Sequence, residues 1–430
     1  MKIQDEEFKE KELIQEINSG VQGWDELSFE QIGQWIGGYA FKSSDFENTN
    51  IENECMQVLK MGNVKMGLID ICNNPAFIHK DKLTDRHKDF VLKSGDILIS
   101  LTGTINKTDY GNVAPVEIDD IFILNQRVAR FRTQSRLQRN FFYYYMQGKQ
   151  FRNKFFLLGL GGTGNQANVG ISDLKAMTAP VPPTCEQEKI AEIISTWDKA
   201  IELKEKLIEE KKKQKSGLMQ KLLTGKVRLP GFDGEWKNVR LGSVIKNKTE
   251  KSTINNQHEV LSCTKDGVVS QNKHFNKQIA SENNIGYKIL RQGELVLSPM
   301  NLWLGGIDIS KFDIGIVSPA YKVYEIDYSI VGENYLRNCL RSEYMISKYE
   351  SISQKGASIV RRNLNIKDFE DLTIAIPEDS VEMTAIDSFI SLITKEIYLL
   401  EKELDLLKQQ KKGLMQLLLT GIVRVNVETN

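Results

Sequence analysis

The chain has 430 residues, of which 40% are hydrophobic, enough to form a core in each of two or three domains. Its 57 basic and 57 acidic side chains give a net charge of zero, so the overall charge provides no evidence for nucleic-acid binding. No apolar run of about eighteen residues and no signal-peptide core is present, so we expect a cytoplasmic protein.

The first half of the sequence predicts an extension, a domain and a long helix. An acidic, helix-like extension occupies residues 1–20, and the first domain is expected at residues 21–182. The segment GDILIS at residues 95–100 predicts a buried strand, followed by a polar loop at residues 101–111. The run at residues 136–152 mixes basic and aromatic side chains and suits either base stacking or a core helix. We favour the core helix.

A long helix is predicted at residues 183–227. It begins after two prolines with Thr184 as a possible cap and ends at Gly225, which suits the left-handed closing conformation. Apolar side chains recur at spacings of four and three from Ile190 to Leu222, a pattern typical of a coiled-coil seam. The alternative is an ordinary amphipathic helix inside a globular core.

The second half of the chain repeats the first. GLMQKLLTGKVR at residues 217–228 returns as GLMQLLLTGIVR at residues 413–424, with ten of twelve positions identical at an offset of 413 − 217 = 196. A second domain is therefore expected at residues 228–376, a second long helix at residues 377–424 and a tail at residues 425–430. This helix has Asp379 as its cap, Gly421 at its end and a seam from Ile386 to Leu418.

The two domains agree in their strands and differ in their loops. GELVLS at residues 293–298 repeats the strand GDILIS, whereas the loop at residues 299–305 does not resemble residues 101–111. Just before each long helix, matching residues surround unlike polar side chains. A constant framework that carries variable loops is what a protein needs to read two different halves of one target.

The loop side chains have the chemistry of DNA contacts. Asn and Gln can bind adenine, Arg can bind guanine, and Lys and Thr can bind phosphate. For any single residue, a solvated loop side chain is an equally good explanation. The candidates are Lys42, Ser43, Ser44, Lys60, Asn63, Lys65, Thr104, Asn106, Lys107, Tyr110, Asn165, Gln166, Asn301, Trp303, Lys355, Ser358, Arg361 and Arg362.

The sequence contains no catalytic or metal motif that both halves support. The five cysteines are irregularly spaced, which predicts reduced, buried structural thiols, and the four histidines lack the spacing of zinc ligands. A glycine pattern at residues 159–164 matches dinucleotide sites, but the second copy lacks it, and no phosphate-binding loop of ATPases occurs. We therefore expect a protein that is not an enzyme.

Several motifs together resemble the specificity subunit of type I restriction–modification systems. They are GYAFKSSDF at residues 38–46, KMGNVKMG at residues 60–67, the two matched strands, PPTCEQEKIA at residues 182–191 and the repeated GLMQ-x-LLTG. The resemblance implies an α/β fold with two mixed α/β target-recognition domains, separated by two long antiparallel coiled-coil helices in an internal pseudo-twofold repeat. Each domain would read one half of a split DNA site.

The resemblance also implies partners. They are double-stranded DNA, two methyltransferase subunits, and endonuclease/translocase subunits. S-adenosylmethionine, ATP and Mg would bind to those partners, with no cofactor in this chain. The second helix departs from the family pattern because Val381-Glu382-Met383 replaces the Glu-Gln of the first. Partner binding is expected at Glu186, Gln187, Ile190, Leu218, Leu222, Ile386, Leu414 and Leu418.

Two other functions remain open from the sequence. The chain is also consistent with the specificity partner of a methyltransferase that lacks an endonuclease. A coiled-coil scaffold whose two domains bind other proteins is the second alternative.

Overall fold

The computed structural model of the chain describes residues 23–50, 54–105, 107–134, 136–159, 165–274, 283–355 and 362–426. The chain divides into two compact units: unit 1 comprises Met1–Leu203 and Leu404–Asn430, and unit 2 comprises Lys204–Glu403. Each unit contains one mixed α/β domain and part of each long helix. No helix in the described ranges is long and apolar enough to cross a membrane. The predicted extension at residues 1–20 lies outside those ranges.

The domain of unit 1 is built from short strands and four helices. Its strands are β1 (Asp25–Ser28), β2 (Gly33–Gly37), β3 (Cys55–Leu59), β4 (Val64–Lys65), β5 (Leu68–Ile69), β6 (Phe77–His79), β7 (Ile97–Ser100), β8 (Thr102–Thr104), β9 (Val113–Pro115), β10 (Phe122–Leu124), β11 (Val128–Thr133), β12 (Gln166–Asn168) and β13 (Thr178–Val181). Its helices are α1 (Phe29–Ile32), α2 (Arg136–Gln147), α3 (Lys149–Leu158) and α4 (Ile171–Ala176).

An antiparallel sheet with the order β2-β11-β7-β9 forms the centre of unit 1. The predicted strand at residues 95–100 is its β7, and all four residues of β7 are buried. Phe141, Phe142, Tyr145 and Phe151 from α2 and α3 are buried in the main core of the unit. The aromatic run at residues 136–152 therefore packs into the core, as we predicted, and does not present its rings to a nucleic acid.

The domain of unit 2 repeats this construction. Its strands are β14 (Trp236–Arg240), β15 (Ile245–Lys248), β16 (Leu261–Thr264), β17 (Gly267–Ser270), β18 (Lys288–Arg291), β19 (Leu295–Leu297), β20 (Ile307–Ile309), β21 (Ile314–Val317), β22 (Lys322–Ile326), β23 (Ser353–Lys355), β24 (Arg362–Leu364) and β25 (Thr373–Pro377). The long helix α5 (Thr184–Leu222) precedes them, and the shorter helices are α6 (Leu241–Val244), α7 (Gln271–His274), α8 (Glu333–Leu340), α9 (Glu343–Ile352) and α10 (Ile366–Glu370).

The sheet order of unit 2 matches that of unit 1. The strands β15-β22-β19-β20 form an antiparallel sheet in which the predicted strand, β19, occupies the place of β7. Unit 2 also has two strand pairs, β16 with β17 and β18 with β21. Its described residues form no three-stranded sheet like β10-β3-β6 of unit 1. The repeat thus keeps the central sheet and changes the elements around it.

The two long helices are α5 and α11 (Ser380–Leu419). The Asp379 carboxylate accepts a hydrogen bond from the Val381 N–H at 2.8 Å, so the predicted cap is confirmed, whereas Thr184 is itself the first residue of α5. Both helices end in the same way, with Gly225 at φ +68° and Gly421 at φ +73°. The left-handed conformation at these two positions is the one that glycine adopts without strain.

The predicted seam of α11 is confirmed by burial. Ile386, Ile390, Ile397 and Leu418 are buried, and the other seam positions are all partly buried. Ion pairs between the helices follow an antiparallel order: Lys204 pairs with Glu403 at 2.9 Å and Lys211 with Glu396 at 2.6 Å. Within unit 2, higher residue numbers on α5 therefore face lower numbers on α11.

The cysteines are all free thiols. Cys55, Cys263 and Cys339 are buried, as we predicted, but Cys72 and Cys185 are exposed, so the prediction of burial is wrong for these two. Burial of a side chain in a loop or at a helix start depends on what packs against it, which residue spacing does not report. Among the described residues, no group of three or more His, Cys, Asp or Glu side chains is arranged to hold a metal ion.

Candidate nucleic-acid interface

In unit 1, two separate loops that we singled out from the sequence meet through a short sheet. Thr104 at the end of β8 lies opposite Gln166 at the start of β12, and the Ile105 N–H donates to the Asn165 carbonyl at 2.9 Å. The side chains of Asn165 and Gln166 are exposed. The backbone thus fixes both residues while their amide groups remain available for hydrogen bonds.

The loop after β8 is held by an aspartate. The Asp109 carboxylate accepts a bond from the Thr104 N–H at 2.7 Å and another from the Thr104 hydroxyl at 3.0 Å. The backbone bond from Thr104 is the main reason that the pKa of Asp109 lies below its ordinary value. Lys107 projects from this loop with its side chain exposed, and Asn106 lies outside the described residues. The position of Lys107 suits a phosphate contact.

Two predicted DNA contacts are buried and have structural roles instead. Asn63 is 1% exposed, and its side chain bonds the Lys60 N–H, the Asp70 carbonyl and the Asn73 carbonyl at 2.8 to 2.9 Å. Tyr110 is 3% exposed and packs against the rings of Phe155 and Phe156. Our expectation of base or phosphate contact is therefore wrong for Asn63 and Tyr110, because neighbouring groups already occupy their polar and aromatic surfaces.

Side-chain contacts connect the segments that carry the remaining candidates of unit 1. The Lys60 ammonium lies 5.0 Å from the centre of the Phe46 ring, and the Thr102 hydroxyl lies 3.1 Å from the Met61 sulfur. These contacts link the segments around residues 42–46 and 60–65 to β8. The side chains exposed along them are Lys42, Ser43, Ser44 and Lys65.

In unit 2, the corresponding place is built around Trp303. This residue lies in the turn Leu302–Leu304, and the Arg362 guanidinium stacks over its ring at 4.2 Å. Arg362 also donates to the Glu350 carboxylate at 2.9 Å, and its N–H reaches the Met300 carbonyl at 3.4 Å. The loop after β19 therefore meets β24, just as the loop after β7 meets β12 in unit 1.

These contacts give Arg362 and Trp303 a mainly structural role. The guanidinium is shared between a ring and a carboxylate, so it holds the β23–β24 pair against the loop. Asn301 is exposed beside them and is the candidate best placed to meet a base. Ser358, Arg361 and the side chain of Lys355 lie outside the described residues.

The start of each long helix is tied to a distant arginine. Glu186 at the start of α5 is 2% exposed and accepts bonds from the Arg424 guanidinium at 2.6 and 2.7 Å. The Trp24 indole N–H donates to the same carboxylate at 3.0 Å. Gln187 is buried too, and its amide donates to the Pro182 carbonyl at 2.7 Å. Both residues thus bond within unit 1.

Unit 2 contains the same arrangement. Glu382 accepts bonds from the Arg228 guanidinium, one of them at 2.6 Å, and from the Trp236 indole N–H at 3.2 Å. Because 186 + 196 = 382 and 228 + 196 = 424, these residues are the repeat equivalents of Glu186 and Arg424. Our expectation that the second helix lacks the Glu-Gln pair is therefore wrong for the glutamate. Only the glutamine is changed, to Met383.

The chain is similar to specificity proteins of restriction systems. Residues 22–212 match the family described as type I restriction modification DNA specificity domain. This match covers the domain of unit 1 and most of α5, and over these residues the chain is similar to that family. The type I restriction enzyme MjaVIII specificity subunit of Methanocaldococcus jannaschii is 30% identical over 221 residues, 51% of this chain and 49% of that protein. The type I restriction enzyme EcoBI specificity subunit of Escherichia coli is 22% identical over 410 residues, 85% of this chain and 79% of that protein.

Solved structures share the fold of this chain. One comes from a structural study of complex assembly and conformational transition of the type I R-M system; it gives a TM-score of 0.59 at 16% identity, covering 94% of this chain and 99% of that one. The HsdS subunit of Thermoanaerobacter tengcongensis gives a TM-score of 0.50 at 17% identity, covering 94% and 98%. The chain spans about half the length of the MjaVIII subunit.

The partner-binding residues predicted from the sequence are not on an open surface of the chain. All six apolar ones lie within or against a domain core: Ile190, Leu414 and Leu418 in unit 1, and Leu218, Leu222 and Ile386 in unit 2. Exposed apolar side chains on α11 lie elsewhere, with Leu392 67% and Leu399 55% exposed. Their seven-residue spacing, off the seam, was the sequence signal that we missed.

Proposed function

We propose that the chain is the DNA specificity subunit of a type I restriction–modification complex, in which each domain reads one half of a bipartite site. One observation carries the proposal. Both units bring the loop after the central strand, β7 or β19, against the segment just before the long helix, with the same framework and unlike side chains. A shared framework with different reading groups suits a target made of two different half-sites.

Side-chain chemistry assigns roles within this proposal. The exposed amides of Asn165, Gln166 and Asn301 match the donor and acceptor pattern of adenine in the major groove. The exposed ammonium groups of Lys42, Lys65 and Lys107 suit phosphate oxygens. Since the net charge of the chain is zero, we expect partner subunits to supply much of the phosphate binding.

The chemical steps belong to partner subunits in this proposal. Adenine methylation would require a methyltransferase that binds S-adenosylmethionine, and DNA cleavage would require an endonuclease/translocase that uses ATP and Mg. The relatives are specificity subunits of restriction enzymes, which supports a separation of DNA recognition and catalysis between subunits. The chain itself would select the site and contribute no catalytic residue.

A domain exchange tests the proposal. Residues 228–376 would be replaced by the corresponding segment of a specificity subunit with a different target, and DNA from cells expressing the assembled methyltransferase would be sequenced for methylated adenine. We expect one half of the methylated motif to change and the other half to be retained, because each half is read by a separate domain. An unchanged motif would favour a protein-binding scaffold instead.

We also propose that the exposed leucines of α11 dock a methyltransferase subunit. Leu392 and Leu399 lie on the same side of the helix, two turns apart, and both are largely exposed to solvent. Exposed leucines at regular spacing are typical of helix packing surfaces. Partner contacts would thus lie outside the seam, which is occupied by contacts within the chain.

The variant Leu392→Glu/Leu399→Glu tests this surface. We expect co-purification with the methyltransferase to fall at least about tenfold, because two carboxylates would be buried at the interface, while the melting temperature stays unchanged. Ser391→Glu, which places one carboxylate on an exposed position of the same helix, serves as the control and is expected to leave assembly intact. Unimpaired assembly of the double variant would contradict the docking proposal.

A further inference from the structure

The repeat places a lysine at the same seam position in each unit, but the two lysines have different surroundings. Because 215 + 196 = 411, Lys215 of α5 corresponds to Lys411 of α11. In unit 1, Lys411 forms an ion pair with Asp198, and its ammonium lies 5.7 Å from the centre of the Tyr144 ring. The charge of Lys411 is thus neutralised and partly covered within the unit.

Unit 2 lacks both of these partners. The equivalent of Asp198 is Thr394, because 198 + 196 = 394. The helix caps Gly148 and Ser342 align α3 with α9 at an offset of 194, so the equivalent of Tyr144 is Asn338. Among the described residues, no carboxylate lies within ion-pair distance of Lys215, and burial lowers the pKa of its ammonium. A half-buried cation without a counter-ion is costly.

Lys215 lines a cavity of about 590 Å³ that lies wholly within unit 2. The other cationic side chains in its wall already have acidic partners: Lys212 pairs with Glu401, and both Arg337 and Arg341 contact the Asp308 carboxylate. Glu343 also lines the cavity, but its side chain is exposed to solvent. Lys215 is therefore the cation in this wall whose charge is available to a ligand.

Two further features of the wall suit an organic molecule. The cavity reaches Ser342 and Glu343 at the start of α9, a ten-residue helix whose N-terminal end carries partial positive charge. The apolar part of the wall is formed by Met219, Ile397 and Tyr398. The volume lies in the range of small-molecule sites, about 300 to 1,000 Å³.

We propose that this cavity binds a small organic anion, whose carboxylate or phosphate group pairs with Lys215 and whose carbon skeleton packs on Met219, Ile397 and Tyr398. The anion would occupy the space beside Lys215 that corresponds to the Asp198 carboxylate and the Tyr144 ring in unit 1. The inference concerns one half of the repeat and does not depend on the function proposed above.

Calorimetric titration of the full-length chain tests the site. Citrate and inorganic phosphate would be used as separate probes, and the stronger of the two responses identifies the preferred anionic group. The variant Thr394→Asp restores the counter-ion found in unit 1. We expect it to weaken anion binding at least about tenfold, because a carboxylate would occupy the position of the ligand's charged group.

A second variant and a control make the test specific. Lys215→Gln is expected to weaken binding to a similar degree. Lys213→Gln is expected to leave binding unchanged, because Lys213 lies on the same helix but is exposed and already paired with Glu209. Absence of binding by either probe, or binding that both Thr394→Asp and Lys215→Gln leave intact, would overturn the proposal. So would an assembly defect in these variants without any anion binding, which would assign the cavity to an acidic side chain of a partner protein.

Discussion

The double variant Asn165→Ala/Gln166→Ala is expected to reduce methylation of sites carrying the half-sequence that we propose unit 1 reads by about tenfold to a hundredfold. The exposed amides of these residues would lose their hydrogen bonds to base edges, and each bidentate pair with adenine is worth about 1 to 3 kcal/mol. The measurement is the rate of methyl transfer to oligonucleotides in which one half-site at a time is altered, with the assembled methyltransferase.

The same variant is not expected to unfold unit 1. Pairing between β8 and β12 uses backbone groups, including the Asn165 carbonyl, and alanine retains all of them. Exposed side chains away from caps and cores usually change the free energy of unfolding by less than about 0.5 kcal/mol. A melting temperature close to that of the unaltered chain would therefore separate lost recognition from lost structure.

Matched variants in unit 2 complete the test. Asn301→Ala is expected to affect only the other half-site, because Asn301 lies in the loop after β19. Asn238→Ala is the control: this asparagine is exposed on β14, which pairs with β25 just before α11, and methylation is expected to be unchanged. If the methyltransferase assembled with Asn165→Ala/Gln166→Ala methylates every site at the normal rate, these amides do not read the target.

Glu382→Ala is expected to lower the free energy of unfolding of unit 2 by about 2 to 4 kcal/mol, and its melting temperature by about 5 to 10 °C. The carboxylate is buried and binds both Arg228 and Trp236. Its removal leaves the indole N–H without this acceptor and the guanidinium without its counter-ion, although Arg228 keeps its bond to the Gly234 carbonyl. Because the Arg228 side chain is 26% exposed, water recovers part of the loss. Thermal and urea unfolding of the full-length chain measure the effect.

A surface pair provides the control for this variant. Glu378 lies 3.9 Å from Lys237, and both side chains are more than half exposed, so Glu378→Ala is expected to change stability by less than about 0.5 kcal/mol. Equal effects of Glu378→Ala and Glu382→Ala would show that the buried triad of Glu382, Arg228 and Trp236 contributes no more than an exposed ion pair.

The equivalent triad in unit 1, formed by Glu186, Arg424 and Trp24, makes the free energy of unfolding depend on pH. Burial opposes ionisation of Glu186, but hydrogen bonds from Arg424 and Trp24 outweigh it and keep the pKa of Glu186 below its ordinary value. A carboxyl whose folded pKa is lowered stabilises the protein above its unfolded pKa of about 4.3 and loses that contribution as the pH falls through the folded pKa. The stability difference between Glu186→Gln and the unaltered chain is therefore expected to be largest above about pH 5 and to shrink at lower pH.

Periodic and local patterns predicted much of the fold. The two long helices, their closing glycines, the seam of α11 and the strands at residues 95–100 and 293–298 all follow from residue spacing within one segment. Such features depend on interactions between near neighbours in the chain, which the order of residues reports directly. The offset of 196 residues likewise required only comparison of the sequence with itself.

Residue patterns along the chain established that this protein is a duplicated pair of domain and long helix, with matched strands and unmatched loops. Which polar residues are available to bind a partner depends on the folded chain. Asn63 and Tyr110 are buried, Arg362 is held by Trp303 and Glu350, and Glu186 binds Arg424, which lies 238 positions away in the chain. The physical reason is that burial and hydrogen bonding depend on partners distant in sequence. Residue type shows what a side chain can bind, whereas packing decides whether that capacity is already used.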